Sequence, residues 1–166
     1  MKKLISALLA AILCTCMMIP AMAAEPTFES TKNFIAVLDE NDLAYTYRGM
    51  ISTGEEHIVM ENEDENFAYT INLYFNADGD CVNVFVWYII EFEDEDFTGV
   101  LRVVNELNSA YKYTRFYIDE SDNTVTCAMN IIVLDEDASG DIVLEALLRM
   151  ASILKHAYPQ LVMYNK

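Results

Sequence analysis

The stretch Phe67 to Ile90, FAYTINLYFNADGDCVNVFVWYII, decides the fold. Phe67, Tyr69, Ile71, Leu73 and Phe75 point one way, while Thr70, Asn72 and Asn76 point the other. That period of two predicts a half-buried β-strand. Asn76-Ala77-Asp78-Gly79-Asp80 predicts a tight hairpin. Beyond it, Val82, Val84, Val86, Tyr88 and Ile90 alternate with Phe85, Trp87 and Ile89. Both faces of this second strand are apolar, so it is expected to be central and covered on both sides, by helices or by a partner.

Upstream, Thr27 is expected to cap a helix running to about Glu40, with Phe34, Ile35 and Leu38 on its apolar face and Asn41-Asp42 as its stop. Strand-like runs span Leu43 to Met50 and His57 to Glu61. Downstream, Asp96 can cap a helix from about Phe97 to Tyr111, striped by Phe97, Val100, Leu101, Val104, Leu107 and Tyr111. A second hairpin joins Tyr113–Ile118 to Thr124–Leu134 through Asp119 to Asn123. The last helix starts near Ser139 to Asp141, buries Val143, Ala146, Leu147, Met150 and Ala157, and is expected to end at Tyr158-Pro159. The order is helix, three or four antiparallel strands, helix, two strands, helix. Hairpins outnumber strand-helix-strand crossovers, so the class is α+β with an antiparallel sheet.

The 166 residues fit one domain behind a targeting segment. Against 10 Lys and Arg stand 27 Asp and Glu, a formal charge of −17, which excludes a general nucleic-acid binder for want of clustered cations. Disorder is excluded too, because 8 Phe, 10 Tyr and one Trp can fill a core.

Met1 to Ala23 reads as a secretory signal peptide: Lys2 and Lys3, the apolar run Leu4 to Ile19, Pro20, then Ala21-Met22-Ala23 for cleavage. The run is short for a membrane span, so no membrane association is expected after cleavage. Leu13-Cys14-Thr15-Cys16 loosely resembles a lipobox, but Thr15 is too large and Met17-Met18-Ile19 is no polar tether. The mature domain is then 24–166, more acidic still once Lys2 and Lys3 are lost. It keeps Cys81 and Cys127, bridged or as buried free thiols.

The chemical inventory is thin. His57 and His156 are the only histidines, and no nucleophile elbow, zinc-protease, P-loop or dinucleotide signature occurs. No catalytic residue, metal ligand or cofactor is assigned. A small extracytoplasmic hydrolase pairing His57 with Ser52 is one alternative. A calcium-responsive envelope protein is another, using Glu61, Glu63, Asp64 and Glu65 or Glu91, Glu93, Asp94, Glu95 and Asp96. Neither cluster follows a calcium-loop spacing, and solvated, solubilising loops explain both. Tyr69, Phe75, Phe85, Trp87, Phe116 and Tyr117 either pack a core or pave a sheet face that receives a protein or peptide, with a homodimer as a further form.

Asn105-Glu106-Leu107-Asn108, then Arg115-Phe116-Tyr117-Ile118-Asp119, then the helix end Ala157-Tyr158-Pro159 resemble a YbjN-domain protein. The resemblance spans about Thr27 to Leu161 and is densest after Phe97. It implies a fold similar to type III secretion chaperones, a twisted antiparallel sheet flanked by helices and often dimeric. It also implies a sensory or regulatory role with no agreed reaction. The signal peptide departs from the cytoplasmic pattern and argues against a direct part in intracellular transcription or type III export. The expected function is therefore an exported, non-enzymatic binding or regulatory domain. The residues expected to bind the partner are Tyr69, Phe85, Trp87, Phe116 and Tyr117.

Overall fold

In the computed structural model, residues 25–63, 67–135 and 138–166 are described. The leader Met1 to Ala23 with Cys14 and Cys16, and the carboxylates Asp64 and Glu65, lie outside them. Helix α1 (Glu29–Glu40) precedes four strands, β1 (Thr46–Met50), β2 (Glu56–Glu63), β3 (Ala68–Phe75) and β4 (Cys81–Glu91). A 3-10 turn (Asp94–Asp96) leads into α2 (Phe97–Ala110), the hairpin β5 (Arg115–Asp119) and β6 (Thr124–Ile132), and α3 (Ser139–Leu161).

The six strands form one wholly antiparallel sheet in the order β1-β2-β3-β4-β6-β5. The mixed helical and antiparallel class is as expected, and β4 is central, with β6 inserted beside it. Register sorts the strand residues between two faces. Ile58, Leu73, Val84 and Met129 line up across neighbouring strands, as do Val86, Cys127 and Phe116. These pack with Phe34 and Leu38 of α1, Val104 and Leu107 of α2, and Val143, Met150 and Leu154 of α3 in one buried cluster. All three helices therefore cover the same face. Of the two covers expected for β4, helices or a partner, helices supply one side only: among the described residues no helix lies over the other face.

Several boundaries move for identifiable reasons. Phe28, not Thr27, takes the N-cap position of α1 and makes no side-chain cap. Instead the Thr27 and Phe28 N–H groups donate to the Glu56 carboxylate at 2.5 and 3.3 Å. Tyr47 donates to the same carboxylate at 2.9 Å. Glu56 is 0% exposed, so a strand residue supplies the anion that the helix start favours. Burial alone would raise its carboxyl, but these hydrogen bonds, Thr27's foremost, hold it below the ordinary carboxylate range. Pro159 does not end α3. The helix continues to Leu161, which is fully buried, while Tyr158 stacks on Phe67 with ring centres 3.9 Å apart. In the last turn proline forfeits one backbone bond, and this packing outweighs it. Leu101, expected in the α2 stripe, is exposed, and Leu134 lies beyond the end of β6.

Two further contacts fix the outline. A Cβ on Gly140 would meet the Asn33 carbonyl oxygen at 2.5 Å, so α3 begins hard against the α1 backbone. At the other end the chain folds back on β4: the Glu91 N–H donates to Asn165 Oδ1 and the Lys166 N–H to the Glu91 carbonyl.

Candidate functional site: the uncovered face of the sheet

The face opposite the helices is built by residues of one parity. His57 and Tyr74 are direct neighbours across β2 and β3, Asn72 and Phe85 across β3 and β4, and Asn83 and Asn130 across β4 and β6. Aromatic rings at such cross-strand positions meet. His57 stacks on Tyr74 with centroids 4.5 Å apart, Tyr74 approaches Phe85 at 6.0 Å and Trp87 at 6.2 Å, and Phe85 stacks on Trp87 at 5.6 Å. The result is a continuous strip of four rings across β2, β3 and β4. Tyr117, 38% exposed, stands on the same face on β5.

β4 changes its habit at the end of this strip. Pairing with β6 is irregular between Val86 and Ile90, and Tyr88 has φ +56°, a left-handed conformation that is strained for an aromatic residue. Alternation places Tyr88 on the face of Val86, which is the buried one. The bulge turns it out, leaving Trp87 39% and Tyr88 70% exposed in succession. The charge of Asp122, which accepts a hydrogen bond from Tyr88, pushes its phenol up.

A polar ladder runs beside the rings. Arg115 donates to Asn130 Oδ1 at 2.6 Å, Asn130 donates to Asn83 Oδ1, and Asn83 donates to Glu55 Oε1 at 3.4 Å. Each amide is thereby oriented by its neighbours, from a cation at one end to a carboxylate at the other. His57 Nε2 lies 3.0 Å from Asn72 Oδ1.

Of the sequence-derived candidates, Phe85, Trp87 and Tyr117 stand on this face. Tyr69 and Phe116 do not: both are buried on the helix side, as is Phe75. Tyr69 is in contact with Phe67 and Asn62, and Phe116 aligns with Cys127. The strands alternate as expected, but the aromatics divide between the faces. Tyr74, Asn83, Asn130 and Arg115 were missed. The hairpin register implied by Asn76 to Asp80 is the signal that could have placed Tyr74 beside Asn83 and Phe85.

His57, the histidine on this face, meets an amide and a phenol ring. His156 sits on α3, its Nδ1 2.7 Å from the Ser152 carbonyl. Glu61 and Glu63 are exposed on β2, Glu91 pairs with Lys166 at 2.6 Å, and Asp94 accepts from Asn123 at 2.5 Å. Among the described residues no three His, Cys, Asp or Glu side chains are grouped to hold a metal ion. Cys81 is half-buried on the open face and Cys127 is buried among the core residues, both as free thiols.

β5 is an edge strand, and its outer border is occupied at Phe116. Asn108 of α2 donates to the Phe116 carbonyl at 2.8 Å and accepts from the Phe116 N–H at 2.7 Å. One side-chain amide thus imitates the pairing of a further strand.

A family model described as "Putative bacterial sensory transduction regulator", YbjN, matches residues 31–161. No curated protein matches the chain. Among solved structures, YbjN, "a putative transcription regulator from E. coli", aligns with a TM-score of 0.49 at 11% identity, covering 76% of this chain and 90% of that one.

Proposed function

The chain belongs to the YbjN family, and from that premise we propose that it is a non-enzymatic binding domain, exported by its leader, that regulates or senses by holding a protein or peptide on the open sheet face. The observation that carries this reading is the strip His57–Tyr74–Phe85–Trp87, extended by Tyr88 and Tyr117. Trp87, Tyr88 and Tyr117 are exposed while His57, Tyr74 and Phe85 are half-buried, so ring surface stands in water that a partner would remove from it. A bulge that turns Tyr88 outward beside Trp87 at the cost of a strained backbone supports a role in contact, because strain persists where it serves a purpose.

A chaperone-like use of the sheet, in which a partner segment lies along the rings, agrees with this geometry. A second copy of the chain is the rival occupant. The hydrolase alternative is weakened because His57 meets the Asn72 amide, which is no nucleophile, and the flat face of the Tyr74 ring rather than its hydroxyl.

The test is capture from the native host with the wild-type protein and with a Trp87→Ala/Tyr117→Ala variant of unchanged melting temperature. A specific protein retained by the first and lost by the second is the expected result. Equal capture by both would move the binding surface elsewhere. For export, N-terminal sequencing of the released protein is expected to begin at Ala24; a retained Met1 in the cell fraction would overturn that part.

A further inference from the structure

We propose that the segment received by the open face is cationic, an extended peptide bearing Lys or Arg between apolar residues, rather than a second copy of this chain. The inference rests on the docking reading above and adds the chemistry of the partner.

Charge around the rings is unbalanced. By register Glu61 on β2 and Asp119 on β5 share the open face. Glu55 is joined to it through Asn83, and Asp80 adjoins Cys81. Asp122 borders Tyr88. Against these five carboxylates stand Arg48, exposed on β1 where it alternates with the inward Tyr47, Lys112 and Arg115, which border one groove with Asn130, and His57, stacked on Tyr74; Arg115 is already bound to Asn130. The acidic field reaches the middle of the surface. After burial, Glu55 helps raise the Tyr74 phenol, and Asp80 with Glu55 raises the Cys81 thiol.

Aromatic faces ringed by carboxylates suit ammonium and guanidinium groups twice over, through the ring quadrupole and through Coulomb attraction. The same arrangement disfavours self-pairing. A two-fold interface through this face would bring like patches together on chains carrying a formal charge of −17 each. A basic strand also matches the polar ladder beside the rings, whose Glu55 end is a carboxylate.

Trp87 is the only tryptophan, so its emission reports this face directly. The experiment titrates the purified protein with alternating Lys-Val, Gln-Val and Glu-Val peptides of about eight residues, the length of a strand. The expected result is a Trp87 shift with the Lys-Val peptide, about tenfold tighter than with Gln-Val and weakened by salt. Glu55→Gln/Glu61→Gln, which keeps the hydrogen-bonding shape, should reduce that preference several-fold while leaving the circular dichroism unchanged. Equal affinity for Lys-Val and Gln-Val would overturn the cationic inference and leave docking standing. A shift that appears only with protein concentration, tracked by sedimentation, would overturn it in favour of a second copy. Response only to cell-wall oligosaccharides would overturn both the inference and the protein-partner reading.

Discussion

Glu56 is the sharpest place to perturb the fold. Its carboxylate is wholly buried and accepts from the Thr27 N–H, the Phe28 N–H and the Tyr47 hydroxyl, joining the start of α1 to β1 and β2. A hydrogen bond to a charged group is worth about 1.5–3 kcal/mol. Three would approach the upper end of mutational losses, but Thr27 is exposed and Phe28 and Tyr47 are half-buried, so their donors can turn to water. Removing the carboxylate also removes the penalty of burying its charge. Glu56→Ala is therefore expected to cost about 2–4 kcal/mol, and Glu56→Gln, which keeps one acceptor oxygen, about 1–2 kcal/mol. The sign with pH follows from the depressed folded pKa. The carboxylate's contribution is fully present above the unfolded value, near 4.3, and is lost as pH falls through the lower folded value. Urea unfolding followed by circular dichroism, at pH 7 and then stepwise towards pH 3, measures both effects. The gap between wild type and Glu56→Gln should close as the wild-type carboxyl protonates. A gap that stays constant across that range would refute the assignment of the stabilisation to the charge.

Gly140→Ala places a methyl 2.5 Å from the Asn33 carbonyl oxygen, against backbone that cannot turn aside. It should cost about 1–3 kcal/mol by overpacking, read as a lowered melting temperature. Asn108→Ala frees both backbone groups of Phe116, with an expected loss of about 1–3 kcal/mol and faster aggregation by light scattering. Native alkylation followed by mass spectrometry should label Cys81 and spare Cys127, whose thiol burial pushes up to about 12; rapid labelling of Cys127 would contradict its place in the core.

The sheet was legible in the sequence because alternation is a strong signal. Tyr69, Ile71, Leu73 and Phe75 all turn inward as their spacing predicts, and the hairpin after Asn76 fixes their neighbours. The site was legible only in part. Phe85 and Trp87 were found as aromatics, but assigning Tyr69 and Phe116 to the same surface ignored parity across strands. Tyr88 escaped because a bulge is a backbone event, and no residue in Trp87-Tyr88-Ile89 announces a positive φ. Glu56 escaped for a different reason. A glutamate at the head of a strand reads as solvated, and its burial depends on amides 28 and 29 positions earlier. Pro159 marks the opposite failure, a local stop signal overridden by Leu161 in the core.

Asn108 gives the sheet one sealed border and one free border, since among the described residues no strand lies beyond β1. Copies that join by edge hydrogen bonding have only the β1 side to offer one another. On the β5 side an incoming strand would first have to displace Asn108 from Phe116, in a strand only five residues long. One amide side chain thus makes the two borders unequal hosts for a further strand.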